Sequence, residues 1–139
     1  MIKKFLLNIV IVSTIVVFGF TAEADTVKIT SEKIKNKVQT AMITYVAQNV
    51  AGSGIFSVMH EGKVLQLKVR KSDKYPDGFH SGVKQNGNLY TSCADFVSGS
   101  TMYDVDFLVR KANNKYIVVQ PIVHKINGIK DPYDLSHWC

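Results

Sequence analysis

The chain of 139 residues carries 17 Lys and Arg against 11 Asp and Glu, a formal net charge of +6 at pH 7, and 46% of its residues are hydrophobic. That composition excludes an intrinsically disordered chain, and the length leaves room for one domain around one core. The lysines are scattered rather than gathered into a run, and no nucleic-acid-reading motif accompanies them, so a dedicated DNA or RNA reader is excluded in favour of a moderately basic soluble surface.

Residues 1–24 read as an export signal. Lys3 and Lys4 precede the apolar segment Phe5–Phe20, and Ala22-Glu23-Ala24 places small residues where a signal peptidase reads, so cleavage is expected after Ala24. Asn8, Ser13 and Thr14 interrupt the apolar segment, which falls short of the ~20 residues a spanning helix needs. No cysteine near the cut could carry a lipid. No stable membrane anchor is therefore expected after cleavage, and the location expected is periplasmic or secreted. Residues 25–139 then form a single α+β domain.

The segment from Ser31 to Val50 is predicted to be an amphipathic helix. Ile34, Val38, Ala41, Met42, Tyr45 and Val46 recur at helical spacing, with Lys33, Asn36 and Thr40 on the opposite face. Thr30 or Ser31 suits the cap, Glu32 suits the positive end of the dipole, and Gly52-Ser53-Gly54 stops the helix.

After Gly54 the period changes to two. Ile55–His60 and Lys63–Arg70 flank the turn Glu61-Gly62 and read as a hairpin. Residues 71–87, with Tyr75-Pro76-Asp77-Gly78, read as a long loop with room for a short edge strand near Val83. Strands are then expected over Leu89–Phe96, Thr101–Lys111 and Lys115–Ile126, separated by Ser98-Gly99-Ser100 and Ala112-Asn113-Asn114, with Pro121 marking an edge position or a bulge. The tail from Asn127 through Pro132 reads as irregular. The fold expected is α+β: one N-terminal amphipathic helix packed on a curved antiparallel sheet of about five strands.

In the strand Tyr103-Asp104-Val105-Asp106-Phe107-Leu108-Val109, alternation places Tyr103, Val105, Phe107 and Val109 toward the helix and the two aspartates on the other face. If Lys111 pairs with Lys115, then Asp106 lies opposite Gln120, Asp104 opposite Ile122 and Met102 opposite His124, which puts His124 diagonal to Asp104. A bulge or a one-residue slip separates them. Asp104, Asp106 and His124 are thus the candidate catalytic residues, because a carboxylate that orients an imidazole equips it for acid–base work. Two carboxylates and an imidazole also suit a divalent metal. The plain alternative is a solvated face, its aspartates paired with Lys125, Lys68 or Arg110. His60, His80 and His137 are expected to be exposed.

Cys93 and Cys139 are candidates for one disulfide, worth at most about 4 kcal/mol for a loop of that length; a buried Cys93 thiol with a free or intermolecular Cys139 is the alternative. No C-x-x-C or C-x-x-C-H motif, phosphate-binding glycine loop, serine elbow or H-E-x-x-H motif occurs, so no cofactor is expected.

The stretches Cys93-Ala94-Asp95-Phe96, Tyr103–Val109 and Ile122–Gly128, ending near Pro132-Tyr133, resemble small exported bacterial proteins of cystatin-like or NTF2-like α+β shape, mostly of unassigned function. The resemblance implies a helix in a curled sheet, and in some members an Asp/His site between the two. A single helix, where NTF2-like enzymes have more, argues against a deep pocket, and the cystatin protease-binding motif Q-x-V-x-G is absent. The leading expectation is a small exported binding or interaction module meeting a protein, a small molecule or a second copy of itself. The alternative is an isomerase- or dehydratase-like acid–base enzyme using Asp104, Asp106 and His124.

Overall fold

The computed structural model describes residues 31–50 and 52–133. The export signal of residues 1–24, Thr30, His137 and Cys139 lie outside the described residues. So does the Cys93–Cys139 pairing.

Helix α1 spans Glu32–Asn49 and precedes the strands of the described residues. Ser31 caps it: its side chain accepts from the Ile34 N–H at 3.4 Å and its carbonyl from the Ile34 and Lys35 N–H groups at 2.9 Å. Of the apolar stripe, Val38, Met42 and Val46 are buried. Among the described residues no helix is long and apolar enough to cross a membrane.

Among the described residues seven strands follow: β1 (Phe56–His60), β2 (Lys63–Val69), β3 (Lys84–Asn86), β4 (Leu89–Ser98), β5 (Thr101–Ala112), β6 (Lys115–Ile126) and β7 (Ile129–Lys130). They form one antiparallel sheet in the order β1-β2-β4-β5-β6-β7, with β3 paired to β4 off this path. The expected five strands are therefore seven. Lys84–Asn86 takes the edge of β4, and Asn127-Gly128, with φ of 50° and 78°, closes a hairpin onto β7 where an irregular tail is expected. β1 also approaches β6, four places away in the order, so the sheet curls without closing.

The core lies between α1 and the inner face of the sheet. Met42, Val46, Phe56, Val58, Leu67, Ala94, Phe96, Val105, Phe107 and Val123 form one cluster, and Val38, Tyr90 and Val109 a second. Phe107 meets Tyr45, Phe56 and Phe96 with ring centroids 6.2, 5.9 and 6.3 Å away. The expected inner face of β5 is thus the observed one.

Candidate functional site

Because β4 and β5 bury one alternating set of side chains against α1, the other set shares the outer face. Their register sets Cys93 opposite Asp106 and Asp95 opposite Asp104. Two carboxylates directly across a strand pair repel each other, and a sheet selected for stability alone avoids that placement.

The edge of β4 beside these residues is covered by a relay of segments. β2 pairs with Val97 and Phe96 before leaving the sheet, residues 78–80 take over, and β3 covers Thr91 to Leu89. The handover needs Gly78. Its φ is +86°, and a Cβ there would lie 2.5 Å from Val69 Cγ1 and 3.0 Å from the Arg70 carbonyl oxygen. The Gly78 carbonyl accepts from the Asp95 N–H at 2.8 Å, Phe79 bridges to Ala94, and the His80 N–H donates to the Cys93 carbonyl at 2.9 Å. Phe79 therefore faces the core and His80 the outer face, where its side chain is only 17% exposed and stacks on Tyr75 with ring centroids 3.9 Å apart. An exposed loop histidine is the expectation this overturns; the edge strand expected near Val83 is found at Lys84–Asn86, but nothing in the sequence shows that residues 78–80 also run along β4.

His80 joins two residues of β4. Its Nε2 lies 2.8 Å from Asp95 Oδ1 and its Nδ1 2.8 Å from Cys93 Sγ. A carboxylate can only accept, so Nε2 carries the proton it donates, and in the neutral ring Nδ1 accepts from the Cys93 thiol. His80 Nε2 also stands 4.0 Å from Asp104 Oδ1.

The β5–β6 register corrects the expected one. Ala112, not Lys111, pairs with Lys115, because Asn113 and Asn114 both adopt positive φ and make a two-residue turn. Register shifts then fall between Leu108 and Val109 and between Asp104 and Val105. They leave Val119 and His124 as extra residues on β6, so the bulges flank Pro121 rather than coincide with it. The result sets Asp104 opposite Lys125 and Asp106 opposite Ile122. A bulge re-aims its extra side chain. His124 Nδ1 accordingly comes within 3.7 Å of Asp106 Oδ2, and Asp104 Oδ2 meets Lys125 Nζ at 3.2 Å, in place of the expected His124–Asp104 diagonal. At 3.7 Å the imidazole nitrogen is out of hydrogen-bond reach, and it is buried without a hydrogen-bond partner.

Both aspartates are largely, though not fully, covered. Asp104 and Asp106 side chains are 14% and 15% exposed, on a face expected to be wet: Tyr75, His80, Gly82 and Val83 line the cavity with them, and Tyr133 bonds Asp106. Tyr133 donates to Asp106 Oδ2 at 2.5 Å and stands edge-on to His124. Burial, and then the bond to Asp106, raises the Tyr133 phenol well above its ordinary value. Lys125 is raised by its bond to Asp104 and by that group's charge. His60, also expected to be exposed, lies 3.2 Å from Asp131 and is 17% exposed.

Tyr75, His80, Cys93, Asp104, Asp106 and His124 are among the residues lining a concave cavity of about 320 Å³. At Cys93 the surrounding charge is negative. The Cys93 thiol is pushed up from 9.0 to about 12, first by burial and then by the charges of Asp104, Asp106 and Asp95, with Lys125 opposing. Cys93, His80 and Asp95 have the connectivity of a thiol–imidazole–carboxylate relay, yet the surrounding carboxylates work against the thiolate such a relay must generate. The same field favours a cation. Among the described residues, the ligand atoms of His80, Cys93 and Asp104 lie within 4.8 Å of one another, and Asp104 Oδ1 is buried without a hydrogen-bond partner.

The structure thus brings Asp104, Asp106 and His124 into one cavity with His80 and Cys93, and sets Asp95 against His80 and Tyr133 against Asp106. Cys93 and Asp95 were legible: their spacing of two on β4 matches that of Asp104 and Asp106 on β5, and the intervening Gly99-Ser100 turn forces them together. Comparison with protein families, with characterised proteins and with solved structures finds no match to the chain.

Proposed function

We propose that the protein is an exported binding module, built as a cystatin-like or NTF2-like roll, that holds a small cation in the cavity on the outer face of its sheet. One observation carries this reading: Asp104 Oδ1 is buried without a hydrogen-bond partner. A buried carboxylate oxygen left unsatisfied costs on the order of 1–3 kcal/mol or more, and a cationic ligand supplies what it lacks. The opposition of Asp95 and Asp104 and the negative field at Cys93 support the same ligand charge. Export rests on the reading of residues 1–24.

NMR titration of the protein with ammonium, a primary amine and divalent ions, each against an anion control, tests it. Cations are expected to shift resonances of β4 and β5 around Cys93 and Asp104, and Asp104→Asn is expected to remove the response. Binding of anions and not cations at these positions refutes the reading.

A second reading, an acid–base enzyme, draws support from the Cys93–His80–Asp95 relay. In that case the work falls to His80 as the base rather than to His124. An active-site thiol is alkylated faster than free cysteine, whereas the cation reading expects a slow one.

A further inference from the structure

We infer that the cation is a zinc-class divalent metal, held by His80, Cys93 and Asp104, with Asp95 as the residue that positions His80. This inference rests on the cation-binding reading and narrows it. Three different donor types converge here: an imidazole nitrogen, a sulfur and a carboxylate oxygen whose ligand atoms lie within 4.8 Å of one another. Calcium and magnesium take oxygen ligands, while a mixed nitrogen, sulfur and oxygen set suits zinc and its neighbours.

The support behind His80 has the form that metal-binding imidazoles require. Asp95 engages Nε2 at 2.8 Å, which fixes the tautomer and leaves the Nδ1 lone pair facing Cys93 Sγ. Tyr75, stacked on the ring at 3.9 Å, holds its plane. The Nδ1 to Sγ separation of 2.8 Å spans a shared thiol proton. Zinc bonds of about 2.0–2.1 Å to nitrogen and about 2.3 Å to sulfur need those atoms roughly 3.5 Å apart in a tetrahedron. The metal therefore takes the place of that proton, which leaves to solvent, and the thiolate becomes a ligand. Asp104 supplies the third bond through the oxygen that otherwise has no partner, keeping Lys125 on its other oxygen. Three protein ligands leave a fourth position facing the cavity, where Asp106 and His124 stand.

The test is calorimetry of the EDTA-treated mature protein with zinc chloride, paired with cobalt(II) absorption. One zinc per chain is expected, with a thiolate-to-cobalt charge-transfer band and tetrahedral cobalt colour. Asp95→Asn is expected to weaken zinc by about 10- to 100-fold, the range for loss of a supporting partner, and Cys93→Ser by more while abolishing the charge-transfer band. Cys139→Ser is expected to bind as wild type. Circular dichroism melts of each variant confirm the fold, and Asp104→Asn provides a second ligand deletion should Cys93→Ser unfold. Zinc affinity indifferent to Cys93 and Asp95, or lost with Cys139 alone, overturns the assignment. Failure of zinc to bind while a primary amine still shifts β4 and β5 overturns the metal and leaves the cation reading standing; failure of both removes the two together.

Discussion

The Cys93 thiol is the most direct probe of the cavity's charge. Burial and the charges of Asp104, Asp106 and Asp95 push it up to about 12 from an ordinary 9.0. At pH 8 the thiolate fraction is therefore about a thousandfold below that of a free cysteine, and because the thiolate is the nucleophile, alkylation slows by about that factor. The assay is iodoacetamide labelling of EDTA-treated protein in a Cys139→Ser background, followed by mass spectrometry from pH 7 to 11, with a denatured sample as reference. Asp104 is the largest charge acting on the thiol, so Asp104→Asn is expected to move the profile to lower pH. Stability follows the same sign: the folded pKa lies above the unfolded one, so the thiol's contribution is complete below pH 9 and is lost as pH rises toward 12. A thiol that reacts like free cysteine at pH 8, or a profile blind to Asp104→Asn, refutes the negative charge around Cys93.

Three further outcomes are expected. Phe107→Ala empties a fully buried site among three other aromatic rings and should cost about 3–5 kcal/mol in a urea melt. Gly78→Ala puts a side chain at φ +86° and against Val69, a cost of about 2–4 kcal/mol; its larger effect is on His80, so the His80 imidazole resonances should move away from those of wild type while resonances of α1 stay in place. Tyr133→Phe removes the phenol that donates to Asp106 and should cost about 1.5 kcal/mol, a loss that largely disappears in an Asp106→Ala background, which lacks the acceptor, when the two are compared in a double-mutant cycle.

What could be read from the sequence was whatever a period fixes. The stripe of α1 and the inner face of β5 follow from spacings that only one packing satisfies, and both hold. The Asn127-Gly128 hairpin was also within reach, since that dipeptide is the strongest short signal for a two-residue turn. Register beyond the turn was not. A choice between a two- and a three-residue turn at Asn113-Asn114, followed by two bulges, moves the partner of Asp104 from Ile122 to Lys125, and no local propensity marks His124 as an extra residue. His80 was further out of reach. It arrives through a loop whose course depends on the contact of Gly78 with β2, a relation between residues far apart in the chain.

The two faces of the sheet do different work, and Asp104→Asn separates them. The inner face holds the core. On the outer face Asp104 opposes Asp95 across the strand pair and meets Lys125 at 3.2 Å. Neutralising Asp104 relieves the first and forfeits the second, and each is worth up to about 1 kcal/mol in a partly exposed setting. The two nearly cancel, so the metal-free variant is expected to melt within about 1 kcal/mol of wild type while the cation response is lost. Urea denaturation alongside the NMR titration reads both quantities from one sample. A loss comparable to that of Phe107→Ala would make Asp104 a structural anchor, and the unsatisfied oxygen would then need an explanation other than a ligand.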